Sequence, residues 1–457
     1  MSTNSPLSTC GIDFGTTNST VAIVKNGLPQ ALDIDPDNNS PHILKSLIYA
    51  NPQGKVEVGQ KAVTSYLWDL EHIESKPPQI INTGRFIKTF GPSTGSGVGP
   101  PIFVPEIIEV DDSGRGRLLQ SLKSVLTSSN YAGTSLFGKP YTLEELLALL
   151  LGQIKTRAER ICQKTIDNVV LGRPVRYVGD PTKEQLALTR LTTVARMVGF
   201  KNIAFEYEPV GAALSFGIDI TSPQKILVFD FGGGTLDVCI MEYPSKKVLA
   251  VSGRPIGGDL VDTKLVENKL LNYFGSDVII NHKTHLSRYL LNSISQNWYQ
   301  ISMLKTVKNL NDFEYYFPNS DDRQPVQNLY DLIVNDLGYN FFATVDKAKI
   351  SLTDNPQANF RFKLPHYQIN TTIIRPDFEK YIAPLVEESK ICIEESLTTG
   401  GLNPNQIDYV ILTGGSSKIP LFQQMITNIF GSSKIIKSDP FISVALGLAL
   451  KADQIYH

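Results

Sequence analysis

Apolar residues in 10–24 fall into two short β-rich runs around the small polar turn Gly15-Thr16-Thr17-Asn18. Runs of this length, bounded by glycine and asparagine, predict two strands, and Asn26-Gly27 predicts a second hairpin directly after them. The period turns helical over 142–162. There Leu146, Leu149, Leu150, Ile154 and Ile161 fall near one face, and Thr142 with Glu145 supplies a capping box. Residues 168–172 read as a buried strand and 184–198 as a helix ended at Gly199. Strand, glycine turn and strand return over 226–241. Further helices are predicted over 262–274, 344–352, 376–399, 420–430 and 443–452, with a strand at 409–412 running into the turn 413–417. The aromatic-rich stretch 280–343 reads as an irregular peripheral region, and 91–101, rich in Gly, Ser and Pro, as a surface loop. Strands alternating with helices along the chain indicate an α/β protein.

Composition narrows the function classes. The chain has 457 residues, 42% hydrophobic and 19% charged, enough for several packed domains and unlike a disordered sequence. Lys+Arg at 43 against Asp+Glu at 45 leaves a net charge of -2, which carries no global basic footprint for nucleic acid. The four cysteines, Cys10, Cys162, Cys239 and Cys392, form no CxxC and read as small buried hydrophobes in a reducing compartment. The polar residues 1–9 lack a basic and an apolar region, so no signal peptide is expected. The apolar run 146–151 is far short of the roughly 20 residues that span a bilayer. A cytoplasmic protein with neither membrane nor nucleic acid as partner is expected.

An ungapped internal repeat carries the chemistry. Asp13 placed on Asp230 brings Phe14 onto Phe231, Gly15 onto Gly232, Val21 onto Val238 and Ile23 onto Ile240. Each copy ends a hydrophobic strand in Asp-Phe-Gly and enters a turn of small residues. Such turns let successive backbone N–H groups converge on phosphate oxygens. An aspartate beside a phosphate nest makes sense with Mg²⁺ between them, held through water. Two such turns facing each other would clamp a polyphosphate. Asp-Phe-Gly and Val-Ala-Ile-Val-Lys at 21–25 mimic protein-kinase signatures. No glycine-rich loop precedes them and no His-Arg-Asp exists, which excludes that reading. His282 and His285 form HxxH with no third ligand nearby in sequence, and Trp68 and Trp298 read as core.

Three more segments join the two turns: Glu208-Pro-Val-Gly-Ala-Ala213, Gly257-Gly258-Asp259 with Asp262, and the strand-Gly-Gly turn of 412–420. Together they resemble the ATPase half of the seventy-kilodalton heat-shock (DnaK-type) chaperones, within the actin, sugar-kinase and heat-shock ATPase superfamily. The resemblance runs from about residue 10 to 450 and weakens over 40–140 and 275–345. It implies an α/β, two-lobed actin-like ATPase fold, each lobe with a ribonuclease-H-like core and nucleotide in the cleft between them. Lobe I is expected at 1–213, with 41–140 peripheral and 441–457 returning to it. Lobe II is expected at 214–440, with 259–365 peripheral. The chain leaves no room for the family's linker, peptide-binding domain and lid, so it is expected to be like the short, YegD-like relatives.

The same resemblance implies residue roles. ATP or ADP with Mg²⁺ are the expected cofactors, with Asp13 and Asp230 holding the hydrated metal. Gly15, Thr16, Thr17, Asn18, Gly232, Gly233, Gly234 and Thr235 would cradle the phosphates. Thr235 would touch the γ-phosphate, and Asp237 and Glu208 would order the metal's water shell and the attacking water. Lys88, in Phe86-Ile-Lys-Thr-Phe-Gly91, is the candidate catalytic lysine, with Arg85 the alternative. Gly257 and Gly258 match a further nucleotide segment. Gly414, Gly415 and Ser416 match the adenosine turn, and Asp346-Lys-Ala-Lys-Ile-Ser-Leu-Thr353 places Lys349 and Thr353 near the ribose and base. Two positions depart: Ile350 stands for an arginine that stacks on adenine, and Phe441 for an aspartate. The expected function is a slow Mg-dependent ATPase, chaperone-like, with an unidentified protein partner or client. A small-molecule kinase and a non-hydrolysing or polymerising nucleotide module are the competing readings.

Overall fold

The structure, a computed structural model, describes residues 8–74, 79–90, 101–110, 114–175, 177, 180–215, 223–245, 247–437 and 441–457. Residues 1–7 of the chain start, and 91–100 of the expected surface loop, lie outside them.

Two sheets carry the molecule. In the first, β1 (Ser8–Phe14), β2 (Asn18–Lys25) and β3 (Leu28–Ala31) are antiparallel, while β4 (Ile166–Arg173) and β5 (Asn202–Tyr207) run parallel to β1. Their order is β5-β4-β1-β2-β3. In the second, β6 (Gln224–Phe231), β7 (Leu236–Tyr243) and β8 (Lys247–Arg254) are antiparallel, with β9 (Tyr409–Thr413) and β10 (Ile435–Lys437) parallel to β6, in the order β8-β7-β6-β9-β10. The two topologies are the same, and each is that of ribonuclease H. The repeat survives at the level of register. Asp13 pairs with Thr20 across β1 and β2, and Asp230 pairs with Asp237, its counterpart across β6 and β7.

Burial explains the strand composition. The central β6 is covered on both faces, so Ile226, Leu227, Val228, Phe229 and Phe231 are all fully buried and polar residues wait until its end. The Asn26-Gly27 turn has positive φ at both residues, 55° and 77°, the backbone that a two-residue hairpin needs. Helix Leu143–Cys162 starts on the expected capping box, Thr142 accepting from Glu145 N and Glu145 from Thr142 N. Its Leu146, Leu150 and Ile154 face the core, whereas Ile161 is 45% exposed, because the helix ends at Cys162 and turns left-handed at Gln163, with φ 54°.

The final helix, Ser443–Tyr456, lies against β1, β2, β4 and helix Glu208–Ser215. The crossing is close enough that a Cβ on Gly447 would stand 1.7 Å from the Gly211 carbonyl oxygen. Val444, Leu448 and Ala452 join Val170, Val228 and Ile411 in one apolar cluster, which ties the two sheets together at the base of the cleft.

The stretch 280–343 is helical, not irregular. It holds Arg288–Gln296, Trp298–Met303, Val307–Asn319, Arg323–Val334 and the start of Gly338–Asp354. Asn297, Thr306 and Asp322 cap three of them by accepting from backbone N–H groups. The four helices within 288–334 have 6–13 residues each, so the apolar period ends before it can be read. This helical part meets the β-rich part around Gln60–His72 across the cleft mouth. Tyr66 packs against Trp298 and Tyr339, while Asp336 accepts from Arg115 at 3.1 Å and from Lys305 at 2.7 Å. Trp298 is core, as read from sequence; Trp68 is 55% exposed and stacks on His72.

Candidate active site

Strand ends dictate the site. β1 and β6 stop at their Asp-Phe-Gly, and the turns that follow face each other across a cavity of 320 Å³. Gly15, Thr16, Thr17 and Asn18 line it from one sheet and Gly232, Gly233, Gly234 and Thr235 from the other. The turns are nearly in contact: a Cβ on Gly233 would stand 2.5 Å from Thr17 Oγ1. That hydroxyl is buried and has no hydrogen-bond partner. Thr235 Oγ1 donates to Asp237 at 3.2 Å.

Carboxylates gather at one end. Asp13, Glu208 and Asp230 line the cavity, and Asp237 lies behind Thr235. Lys123 is the one lysine or arginine among the described lining residues, and its Nζ donates to Glu208 Oε1 at 3.0 Å. Burial, then Glu208, pushes Asp13, Asp230 and Asp237 above the ordinary carboxylate range, Asp237 to about 7. Burial alone would lower Lys123, but Glu208, Tyr177 and Asp13 outweigh it and hold the ammonium charged. Excess negative charge in a closed space is the setting a hydrated divalent cation would relieve. Asp13 and Asp230, one from each wall, supply a hard oxygen donor set that suits Mg²⁺. The orphaned Thr17 hydroxyl is a donor awaiting an acceptor, which suits a phosphate oxygen.

The other end is flatter. β9 ends at Gly414, whose φ of 77° and close approach to Phe231 (a Cβ would meet its carbonyl oxygen at 2.2 Å) admit glycine alone. Gly415 lies under the Phe441 ring, and both line the cavity. Ser416 stands behind, donating to Gly232 O at 3.2 Å. Gly257 and Gly258 back the second phosphate turn, with Gly258 N donating to Gly232 O at 3.0 Å.

Several expected residues lie outside the cavity lining. Lys349 is held between Asp262 and Asp346, each at 2.9 Å. Thr353 donates to Lys349 O at 3.4 Å, and Ile350 is 56% exposed. Lys88 sits on strand Gln79–Phe90 opposite Phe103, and its side chain lies outside the described residues. Lys123 and Tyr177 are cavity residues that the sequence reading missed. Lys123 carries no local signal: it is one lysine in a short 3-10 turn, turned inward because its neighbours Leu122 and Leu126 are buried.

Two ribonuclease-H-like cores with facing phosphate-type turns define the actin-like ATPase fold. The comparisons narrow this class further. The Hsp70 protein family model matches residues 120–310 and 339–456. The chain therefore belongs to the Hsp70 family. It is 26% identical over 456 residues to the chaperone protein dnaK of Cyanidioschyzon merolae, covering 97% of this chain and 61% of that protein. It is 24% identical over 454 residues to the chaperone protein DnaK of Thermosipho melanesiensis, covering 97% and 58%. The chain thus spans about three fifths of the length of these relatives. Among the described residues, no helix is long and apolar enough to cross a membrane.

Proposed function

We propose that this chain binds ATP with Mg²⁺ and hydrolyses it slowly, in the manner of a chaperone-type ATPase whose nucleotide state sets lobe closure and the binding of a protein partner. The observation that carries the reading is the cluster of Asp13, Glu208, Asp230, Asp237 and Lys123 at the meeting of two phosphate-type turns. Lobe I is assigned to 1–213 with 441–457, and lobe II to 214–440. The relatives named as chaperones support a protein partner of the same broad kind.

In-line attack of water on a terminal phosphoryl group needs positioning and charge neutralisation more than covalent chemistry. Asp13 and Asp230 would hold the metal, which when bound offsets charge on the phosphate oxygens. Lys123 supplies a second positive charge from the protein, in the part first given to Lys88. Thr17 donates from one wall, and Gly233 and Gly234 offer backbone N–H groups from the other. Asp237, held by Thr235, and Glu208, held by Lys123, are placed to orient a water molecule. Gly414, Gly415 and Phe441 leave a flat slot for the base.

Single-turnover hydrolysis of radiolabelled ATP, with and without Mg²⁺, tests the reading. Metal-dependent turnover lost in Asp13→Ala and Thr235→Ala supports it. Unchanged turnover in both variants removes the enzymatic half. ADP release that waits for a small-molecule acceptor would replace it with a kinase, and ATP-dependent pelleting with a polymerising module.

A further inference from the structure

One polar group of the cavity has no part in the scheme above. Tyr177 lines the cavity, and its hydroxyl is cut off from solvent with no hydrogen-bond partner among the described residues. A buried hydroxyl left unpaired costs about 1–3 kcal/mol, and native structures keep few of them without a reason. Phenylalanine would fill the same space at no such cost. The backbone here is fixed, since Tyr177 N donates to Glu184 Oε1 at 2.6 Å, in the first turn of helix Pro181–Met197.

The surroundings say which ligand atom the hydroxyl is kept for. Lys123 and Glu208 are the charges that act most strongly on Tyr177, and Tyr177 in turn acts on Lys123. All three residues line the cavity, so the phenol is coupled to the charges of its carboxylate end. Burial pushes the phenol up to about 12, so it is a neutral O–H donor at any working pH. A neutral donor in the field of an ammonium, on a residue that lines a space built for anions, calls for a negatively charged oxygen.

We propose that the Tyr177 hydroxyl donates to the terminal phosphoryl oxygens of a bound nucleoside triphosphate, and so makes the site distinguish triphosphate from diphosphate. The inference rests on the nucleotide reading above and extends it to one specificity-determining contact. A triphosphate gives the orphaned hydroxyl its acceptor; a diphosphate leaves it unpaired.

The test is Tyr177→Phe in the full chain. Titration calorimetry with Mg²⁺ measures ADP and the β,γ-imido analogue of ATP separately, and urea unfolding measures the ligand-free chain. Loss of one charge-assisted hydrogen bond should weaken the imido analogue by about tenfold or more. ADP affinity should stay within about twofold, on the scale of a contact not made. Ligand-free stability should hold or rise, because an unpaired hydroxyl has been removed. Equal weakening of both nucleotides overturns the proposal, as does no weakening of either, which would leave the hydroxyl to an ordered water. A drop in ligand-free stability also overturns it, by showing a structural bond. Wild-type protein that binds neither nucleotide would instead end the nucleotide reading itself, a result distinct from all of these.

Discussion

Lys123→Met is the substitution with the sharpest expected outcome. The lysine is 8% exposed and its partner Glu208 15% exposed, so little solvent screens the pair. At 3.0 Å and an effective dielectric near 20, the gross attraction is about 5 kcal/mol. Methionine keeps most of the volume and removes the charge. Glu208 is then left beside Asp13 and Asp230 with no cation among the described lining residues. Breaking one side of a buried pair costs about 3–5 kcal/mol. Urea unfolding of the ligand-free protein in chelator should show that loss as a lower midpoint with an unchanged slope. Lys123→Met/Glu208→Gln, which removes both charges, should recover at least half of it in a double-mutant cycle. The deficit should also shrink on acidification, because the crowded carboxylates then accept protons. A Lys123→Met midpoint equal to wild type, or a double variant no better than the single one, refutes the reasoning.

Other outcomes follow from the same structure. Gly447→Ala should lower the urea midpoint by the equivalent of about 1–3 kcal/mol, since the new methyl meets the Gly211 carbonyl oxygen and pushes the final helix off helix Glu208–Ser215; an unchanged midpoint counts against that crossing. Asp237 sits at about 7 when folded, above its ordinary carboxylate value, so the folded chain holds a proton that the unfolded chain has lost across that interval. Stability of the metal-free wild type should therefore fall as pH rises through that window, Asp237→Asn should flatten the fall, and a thermal-shift series identical for both proteins would contradict this. Asp336→Asn should speed release of a fluorescent ADP on the order of tenfold by loosening the contact with Arg115 across the cleft mouth. Stopped-flow release at the wild-type rate, with stability retained, would detach that contact from closure.

Legibility from sequence followed the length over which one physical rule acts. The hairpins β1–β2 and β6–β7 were readable because each strand is buried on both faces and each turn demands small residues, so two constraints coincide over 15 residues or so in each copy. The capping box at Thr142 and Glu145 was readable because its partners are three residues apart and both bonds are local. The helices of 288–334 obey the same period as any others, with Leu290, Leu291 and Ile294 or Val326, Leu329 and Ile333 inward. They are cut into segments of 6–13 residues, too short for the period to rise above their aromatic partners. Ile161 misled for the opposite reason: the period continued in sequence after the core it faced had ended.

The site divides along the same line, and the division explains its charge. Gly15 is fixed by backbone approach within its own turn, where an added Cβ would stand 2.1 Å from Asn18 O, and Gly233 and Gly414 show in the sequence as parts of small-residue turns, although Thr17 and Phe231, which crowd them, lie in other segments. Lys123 is fixed by a partner 85 positions away, and nothing near it announces that partner. The repeat nevertheless implies that some cation must be present. Duplicating a strand that ends in aspartate, and folding the copies face to face, sets Asp13 against Asp230; burial and then Glu208 raise the cost of ionising both, and Asp230 adds to it at Asp13. Glu208 and Asp237 deepen the excess, and one ammonium does not balance it. Two opposed aspartates with one lysine among the described lining residues leave a charge excess that a cation from outside the chain would relieve. Removing either aspartate should therefore stabilise the ligand-free protein while weakening its hold on Mg²⁺-nucleotide, a pairing of signs that a purely structural carboxylate would not give.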